Sequence, residues 1–301
     1  MKTEISLDSF RGCLLGLACG DAVGTSNEFK PRGSFPLLTD MVGGGPFNLP
    51  AGAWTDDTSM GLCLAASLVD CDGFDAFDQM KRYLDWYENG SMSSTGECFD
   101  IGYTTREALM HFKQSGEPFS GSTDPYSAGN GSLMRLAAVV MKFYPDPEET
   151  LRYCAESSRT THGAQECLDA CRLFGNMLLR ALDGKDKDDI LADSGKDMAE
   201  SYKLKAISQG DYQNKIMDEI RGTGYVVDCL EAALWCFWKT DNFRDAILMA
   251  ANLGEDADTT SAVCGQIAGA HYGESGIPVD WLDKLFMAAE IRMLAERLAA
   301  R

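Results

Sequence analysis

Two acidic stretches carry side chains that could do chemistry. "WTDDTSM" offers Thr55, Asp56 and Asp57 ahead of the apolar run "GLCLAASLV", and "GEDADTTS" offers Glu255, Asp256, Asp258 and Thr259 ahead of "AVCGQIAGAHYG". Either alone reads as a helix N-cap, because Ser, Thr and Asp oxygens accept hydrogen bonds from the free N–H groups of a first turn. A cap needs one side chain, however, and each stretch supplies several oxygen-bearing ones. Brought together, four carboxylates repel one another and lose hydration unless cations neutralise them. The donors are carboxylate and hydroxyl oxygens with no Cys or His beside them, which suits Mg²⁺ or Mn²⁺ and argues against Zn²⁺. Four carboxylates suffice for two such ions, and a pair about 3.5–4 Å apart polarises substrate oxygens and activates water.

Further stretches could face a ligand. In "SAGNGSLMRLAAVVM", Gly129, Asn130 and Gly131 form a turn whose N–H groups can face outward, with Arg135 and an apolar helix directly after it. That is either a phosphate cradle or an ordinary loop. "SSRTTHGAQEC" puts His162 after two threonines at a helix start, as a cap, a packing residue or a ligand. "RGTGYVVDCLEAALW" puts Tyr225 after a glycine turn at the head of an apolar helix, as core or as a ring wall. Asp21 and Glu28, in "GLACGDAVGTSNEF", either cap something or face a site.

The elements that must position these residues are helical. Apolar residues recur at helical spacing, and strand-like alternation of Val, Ile and Thr is almost absent, so the fold class is all-α. In "YPDPEETLRYCAESS", Asp146 caps, Pro147 takes the first helical position, and Glu148 and Glu149 complement the helix dipole. "NFRDAILMAANL" presents Phe243, Ala246, Ile247 and Ala250 on one face. "RGCLLGLACGDAVG" places Gly12, Gly16, Gly20 and Gly24 at every fourth position, a flat face that another helix can approach closely. The most charged segment, residues 183–215, is expected to be solvated helix and loop without chemistry.

Composition narrows the function. The 301 residues contain no Pro-rich, Ser/Gly-rich or low-complexity linker, so one compact domain is expected over 1–301. Against 46 acidic residues stand 27 basic ones, a net charge of −19 with no basic stripe, which argues against nucleic-acid binding. An anionic ligand then needs local help from cations, helix N-termini or a placed arginine. No apolar run approaches membrane-spanning length, and the N-terminus lacks a basic region followed by a long apolar one, so no membrane association is expected. Eleven cysteines without zinc-type CxxC pairs fit reduced, buried thiols and a cytoplasmic protein.

Taken in order, "GCLLGLACGDAVGTSNEF", "WTDDTSM", "SAGNGSLMR", "TTHGAQEC", "GTGYVVDCLEAALW" and "GEDADTTSAVCGQIAGAHYG" resemble the ADP-ribosylglycohydrolase family. That family includes the dinitrogen reductase-activating glycohydrolase of nitrogen-fixing bacteria and animal ADP-ribosyl-acceptor hydrolases. The resemblance covers nearly the whole chain, and the two acidic motifs at this separation are its most specific part. It implies a compact helical fold around two Mg²⁺ or Mn²⁺ ions. It also implies hydrolysis of the N- or O-glycosidic bond joining ADP-ribose to a side chain of a modified protein, with ADP-ribose as product. By position it implies metal ligation by Thr55, Asp56, Asp57, Asp256, Asp258 and Thr259, and water activation by Asp57 or by Glu28 on a loop over the site. The turn of Ser127, Gly129 and Asn130, with Gly131, would hold the pyrophosphate and inner ribose, and His162 and Tyr225 would line the ADP-ribose pocket. Glu255 is expected to point elsewhere. The segment around Tyr225 looks closer to the arginine-directed members, and an acidic surface attracts a cationic guanidinium. ADP-ribosyl-arginine is therefore the expected substrate. O-linked serine ADP-ribose, a metal-dependent phosphohydrolase using the same carboxylates, and a non-catalytic ADP-ribose-binding member are the alternatives.

Overall fold

The computed structural model describes residues 6–192 and 200–300. Among these residues there are fourteen α-helices: α1 (Leu7–Gly24), α2 (Asp56–Asp70), α3 (Ala76–Asn89), α4 (Tyr103–Ser115), α5 (Ala137–Phe143), α6 (Pro147–Arg159), α7 (Gln165–Leu182), α8 (Lys187–Leu191), α9 (Tyr202–Ser208), α10 (Val226–Lys239), α11 (Phe243–Ala251), α12 (Ala257–Tyr272), α13 (Val279–Lys284) and α14 (Ala288–Ala299). They contain no strand, only three isolated bridges, as the all-α reading expects. No helix among them is long and apolar enough to cross a membrane.

The organising feature is the pair α1 and α12. All four glycines of the "GCLLGLACGDAVG" repeat lie on α1. A β-carbon at Gly12, Gly16, Gly20 or Gly24 would fall under 3.0 Å from the backbone of Gly269, Gly265, Ser261 or Ala257 respectively. The contact is reciprocal, since β-carbons at Gly265 and Gly269 would overlap the carbonyls of Gly16 and Gly12. The two backbones therefore touch with no side chains between them. Every residue from Gly12 to Gly24 and from Ala257 to Ala270 is buried, with α7, α10 and α11 packed on the remaining faces of α12. Such helices need no polar face, and their sequences are apolar and small all round.

Helix ends follow the local sequence. Asp146 caps α6 by accepting from the Glu149 N–H, with Pro147 as first helical residue. Asn242 caps α11, whose Phe243, Ala246, Ile247 and Ala250 are all buried. The charged stretch 183–215, of which residues 193–199 lie outside the described set, departs from expectation. It forms α8, α9 and a 3₁₀ turn, and Ile190, Leu191, Leu204, Ile207 and Tyr212 from it enter the core. Sparse apolar residues on short helices escape a periodicity reading that needs a dozen residues to register. All eleven cysteines are free thiols; nine are buried, while Cys71 is exposed and Cys98 partly so.

Candidate active site

The α1–α12 contact sets the N-terminus of α12 beside that of α2, and neither acidic cluster caps its own helix. Asp21 of α1 does this for α2. Its Oδ1 accepts from the N–H and hydroxyl of Thr55 (2.9 and 2.8 Å), and its Oδ2 from the N–H and hydroxyl of Thr58 (3.0 and 2.6 Å). A carboxylate supplied from another helix satisfies the first turn and leaves Asp56 and Asp57 available. At α12, Asp256 makes no side-chain cap bond; its Oδ2 accepts from Asn130 Nδ2 at 2.7 Å.

The two clusters converge. Thr55 Oγ1 lies 3.3 Å from both Asp57 Oδ2 and Asp258 Oδ2, and Thr259 Oγ1 lies 3.4 Å from Asp57 Oδ2. Carboxylate oxygens of Asp21, Asp57 and Asp258 all lie within 4.8 Å of one another, and so do those of Glu28, Asp100 and Asp258. Asp21 is fully engaged by its four donors, so it builds the site rather than facing it. Asp100 is a member that spacing does not reveal. It sits alone in "CFDIGYTT" with φ 63°, and only the loop ahead of α4 brings it to Glu28 and Asp258.

Burial, reinforced by neighbouring carboxylates, pushes Asp56, Asp57 and Asp258 well above the ordinary carboxylate range. Glu28 is pushed up to about 9, by burial first and then by Asp100, and Asp100 up to about 7, again chiefly by burial. Asp57 Oδ1 and Glu28 Oε2 are buried with no hydrogen-bond partner among the described residues. Unpartnered hard oxygen donors that repel one another match the ligand set of a divalent cation.

A stability prediction follows. Glu28 and Asp100 have folded pKa values above their unfolded ones, so the native state holds protons that the unfolded chain has released. Their contribution to stability is complete below the ordinary carboxylate range and is lost as pH rises toward about 7 and then about 9. Chelator-treated protein should therefore melt at a lower temperature at pH 8 than at pH 5.5, and Mg²⁺ or Mn²⁺ at pH 8 should reverse the loss. Thermal melts at the two pH values check this; a metal-free melting temperature that rises from pH 5.5 to 8 would contradict it.

Above the carboxylates lies a cavity of about 860 Å³, walled by Glu28, Asp56, Asp100, Asp256, Asp258 and Thr259 on one side and by Gly129, Asn130, Gly131 and His162 on the other. Thr55 and Asp57 lie beneath this wall, fully buried. The glycine turn is tied down more firmly than its sequence suggests. Gly129 N–H donates to the Ser127 carbonyl (2.8 Å) and Asn130 N–H to the Gly224 carbonyl (3.1 Å), while the Asn130 amide holds Asp256. Gly131 is glycine because a β-carbon would lie 2.7 Å from His162 Cε1. The His162 ring sits against the turn, with Nδ1 2.9 Å from Thr161 Oγ1, and burial lowers its pKa to about 3, so it is a neutral wall.

Several placements differ from the sequence reading. Arg135 does not face a ligand: it is fully buried, stacks on Tyr83 at 4.7 Å, and donates to the Gly131 carbonyl and the Thr161 hydroxyl, bracing the turn from behind. Regular helix resumes only at Ala137, so the turn is not a helix N-terminus. Glu255 does not point away but lines the cavity. Ser127 and Tyr225 are not among the cavity-lining residues. Ser127 Oγ donates to the Asp124 carbonyl (2.7 Å). The backbone of Tyr225 forms a bridge with Gly129, its hydroxyl donates to Glu166 (2.5 Å), and Lys203 Nζ lies 4.6 Å from its ring centre.

A buried pair of acidic helix starts beneath a cleft fits a metal-assisted hydrolase, and comparison with known proteins specifies the class. The ADP-ribosylglycohydrolase family model matches residues 2–301, and the chain belongs to that family. The ADP-ribosylarginine hydrolase Tri1 of Pseudomonas putida (strain GB-1) is 45% identical over 301 residues, covering 100% of this chain and 80% of its own. The ADP-ribosyl-[dinitrogen reductase] glycohydrolase of Rhodospirillum rubrum is 30% identical over 97% of this chain and 96% of its own. A solved ADP-ribosylglycohydrolase-related protein complex contains a chain that superimposes with a TM-score of 0.87 at 42% identity, covering 97% of each chain.

Proposed function

We propose that this protein removes ADP-ribose from arginine side chains of modified proteins by hydrolysing the N-glycosidic bond. The observation that carries this reading is full-length similarity, at 45% identity, to an ADP-ribosylarginine hydrolase in a chain whose acidic clusters converge on one cavity. Two divalent cations, Mg²⁺ or Mn²⁺, would be held by Thr55, Asp56, Asp57, Asp256, Asp258 and Thr259, and would supply Lewis acidity toward the ribose hydroxyls.

The chain's own residues do the rest. The wall formed by Gly129, Asn130 and Gly131, backed by His162, receives the pyrophosphate and inner ribose, while Ser127 stands outside that wall and Tyr225 secures it through the bridge to Gly129. Because the whole protein repels anions and the Gly129 and Asn130 N–H groups are already donated to the Ser127 and Gly224 carbonyls, bound cations would supply the local attraction. Of the two carboxylates suited to water activation, Glu28 lines the cavity and Asp57 lies below it. Glu28 therefore takes the proton from water as its oxygen bonds to the anomeric carbon, the carbon–nitrogen bond breaks, and the guanidine leaves. Cations beside it would hold Glu28 ionised against the burial and carboxylate repulsion that otherwise keep it protonated, leaving it able to accept that proton.

Incubation with arginine- and serine-linked ADP-ribosylated substrates, with each metal, tests the assignment by mass spectrometry of released ADP-ribose. Release from arginine with the guanidine restored is expected. Release from serine alone, or of phosphate or a nucleotide, would overturn it. Asn130→Ala should weaken ADP-ribose binding about tenfold by calorimetry, and weaken metal binding less, because it removes a polar contact near the ligand but no metal-ligating oxygen. Equal losses would make the turn purely structural.

A further inference from the structure

We infer that Glu255 and Phe29 together form the subsite for the leaving guanidinium and so set which linkage is accepted; this rests on the arginine reading above. Both line the cavity. Both stand in the left-handed backbone region, Phe29 at φ 60° and Glu255 at φ 59°, which non-glycine residues keep only when their surroundings impose it. The imposing contacts are the Phe29 N–H donating to the Glu255 carbonyl (2.7 Å) and the Glu255 N–H donating to the Lys30 carbonyl (2.8 Å). These reciprocal bonds join the loop that carries Glu28 to the start of α12.

The two side chains are incomplete in complementary ways. Glu255 Oε2 is buried with no hydrogen-bond partner among the described residues, which costs free energy until a donor arrives. Phe29 remains 65% exposed at the cavity, with Phe47 edge-on to it (6.4 Å, 75°) and Phe99 in turn bracing Phe47 (5.1 Å). The two cations that follow Phe29 in its own loop are committed elsewhere: Lys30 donates to the Ser26 carbonyl, and Arg32 to the carbonyls of Leu253, Met217 and Ile220. A guanidinium satisfies both groups at once, hydrogen-bonding a carboxylate in its plane and laying its face on an aromatic ring. A serine hydroxyl offers neither the charge nor the plane. The Tyr225 ring, by contrast, already carries Lys203.

Steady-state kinetics on ADP-ribosyl-arginine and an ADP-ribosyl-serine peptide, with inhibition by free ADP-ribose, test this in Glu255→Gln, Glu255→Gly, Phe29→Leu and Phe29→Tyr. KM for the arginine-linked substrate should rise about tenfold in Glu255→Gln and about fivefold in Phe29→Leu, with kcat within about twofold of wild type. ADP-ribose inhibition should not weaken, and Phe29→Tyr should keep the wild-type KM. Glu255→Gly separates recognition from architecture, because glycine relaxes the left-handed backbone: Tm should hold or rise while KM climbs. Unchanged KM in Glu255→Gln and Phe29→Leu, or equal weakening of ADP-ribose inhibition, overturns the subsite. Wild-type protein that cleaves the serine linkage but not the arginine one overturns the linkage reading instead.

Discussion

Asp57→Asn should lower turnover by roughly a thousandfold or more while the metal-free protein melts at the same temperature as wild type or higher. The two halves of this expectation share a cause. Asp57 is fully buried, its Oδ1 has no partner among the described residues, and burial together with Asp21, Asp256, Asp100 and Glu28 opposes its ionisation. Without cations its charge is a liability, and asparagine, nearly the same shape, removes it. With cations that charge is what holds them, so the stabilisation they confer on the native state should shrink in the variant. Activity assays, metal analysis and melts with and without Mn²⁺ give the three readouts. Near-normal activity with normal metal content would sink the ligand assignment, and a metal-free melting temperature lowered by many degrees would make Asp57 a packing residue.

The parts of this protein legible in its sequence are those encoded by repetition. Gly12, Gly16, Gly20 and Gly24 announce a close helix contact because only backbone approach makes use of such spacing. "TDDT" and "DADTT" announce a site because they hold more carboxylate than a helix end requires. What escapes is whatever tertiary structure brings in singly. Asp100 reaches the site from a loop in which only Glu97 is also acidic and no period repeats. Asp21 takes over the capping of α2, a job that local rules assign to Thr55. Arg135 follows a glycine turn that reads as either a phosphate cradle or an ordinary loop, yet its side chain goes into the core, where carbonyls, hydroxyls and Tyr83 receive it. Glu255 reads as surplus charge because the left-handed backbone that swings it to the cavity depends on hydrogen bonds to a loop more than two hundred residues away.

Gly265→Ala should abolish soluble expression or lower stability by more than about 4 kcal/mol, although the same change in an exposed helix interior stabilises by roughly 1 kcal/mol. The sign reverses because of what the methyl group meets. At Gly265 it would overlap the carbonyl of Gly16, main chain on main chain, with no side chain able to rotate away. Relief requires α1 and α12 to separate, and because Asp21 ties α2 to α1, separation moves Asp258 of α12 away from Asp57 of α2, so any protein that does fold should have lost metal binding as well. Gly61→Ala on α2 is the control. A β-carbon there meets the tip of Leu17 at 3.3 Å, a flexible side chain that can yield, so its effect should lie within about 1 kcal/mol of wild type. Melts and chelator-reversible Mn²⁺ binding for both variants decide the matter: a Gly265→Ala protein that melts within a few degrees of wild type and still binds Mn²⁺ would show that the backbone contact does not hold the two acidic helix starts together.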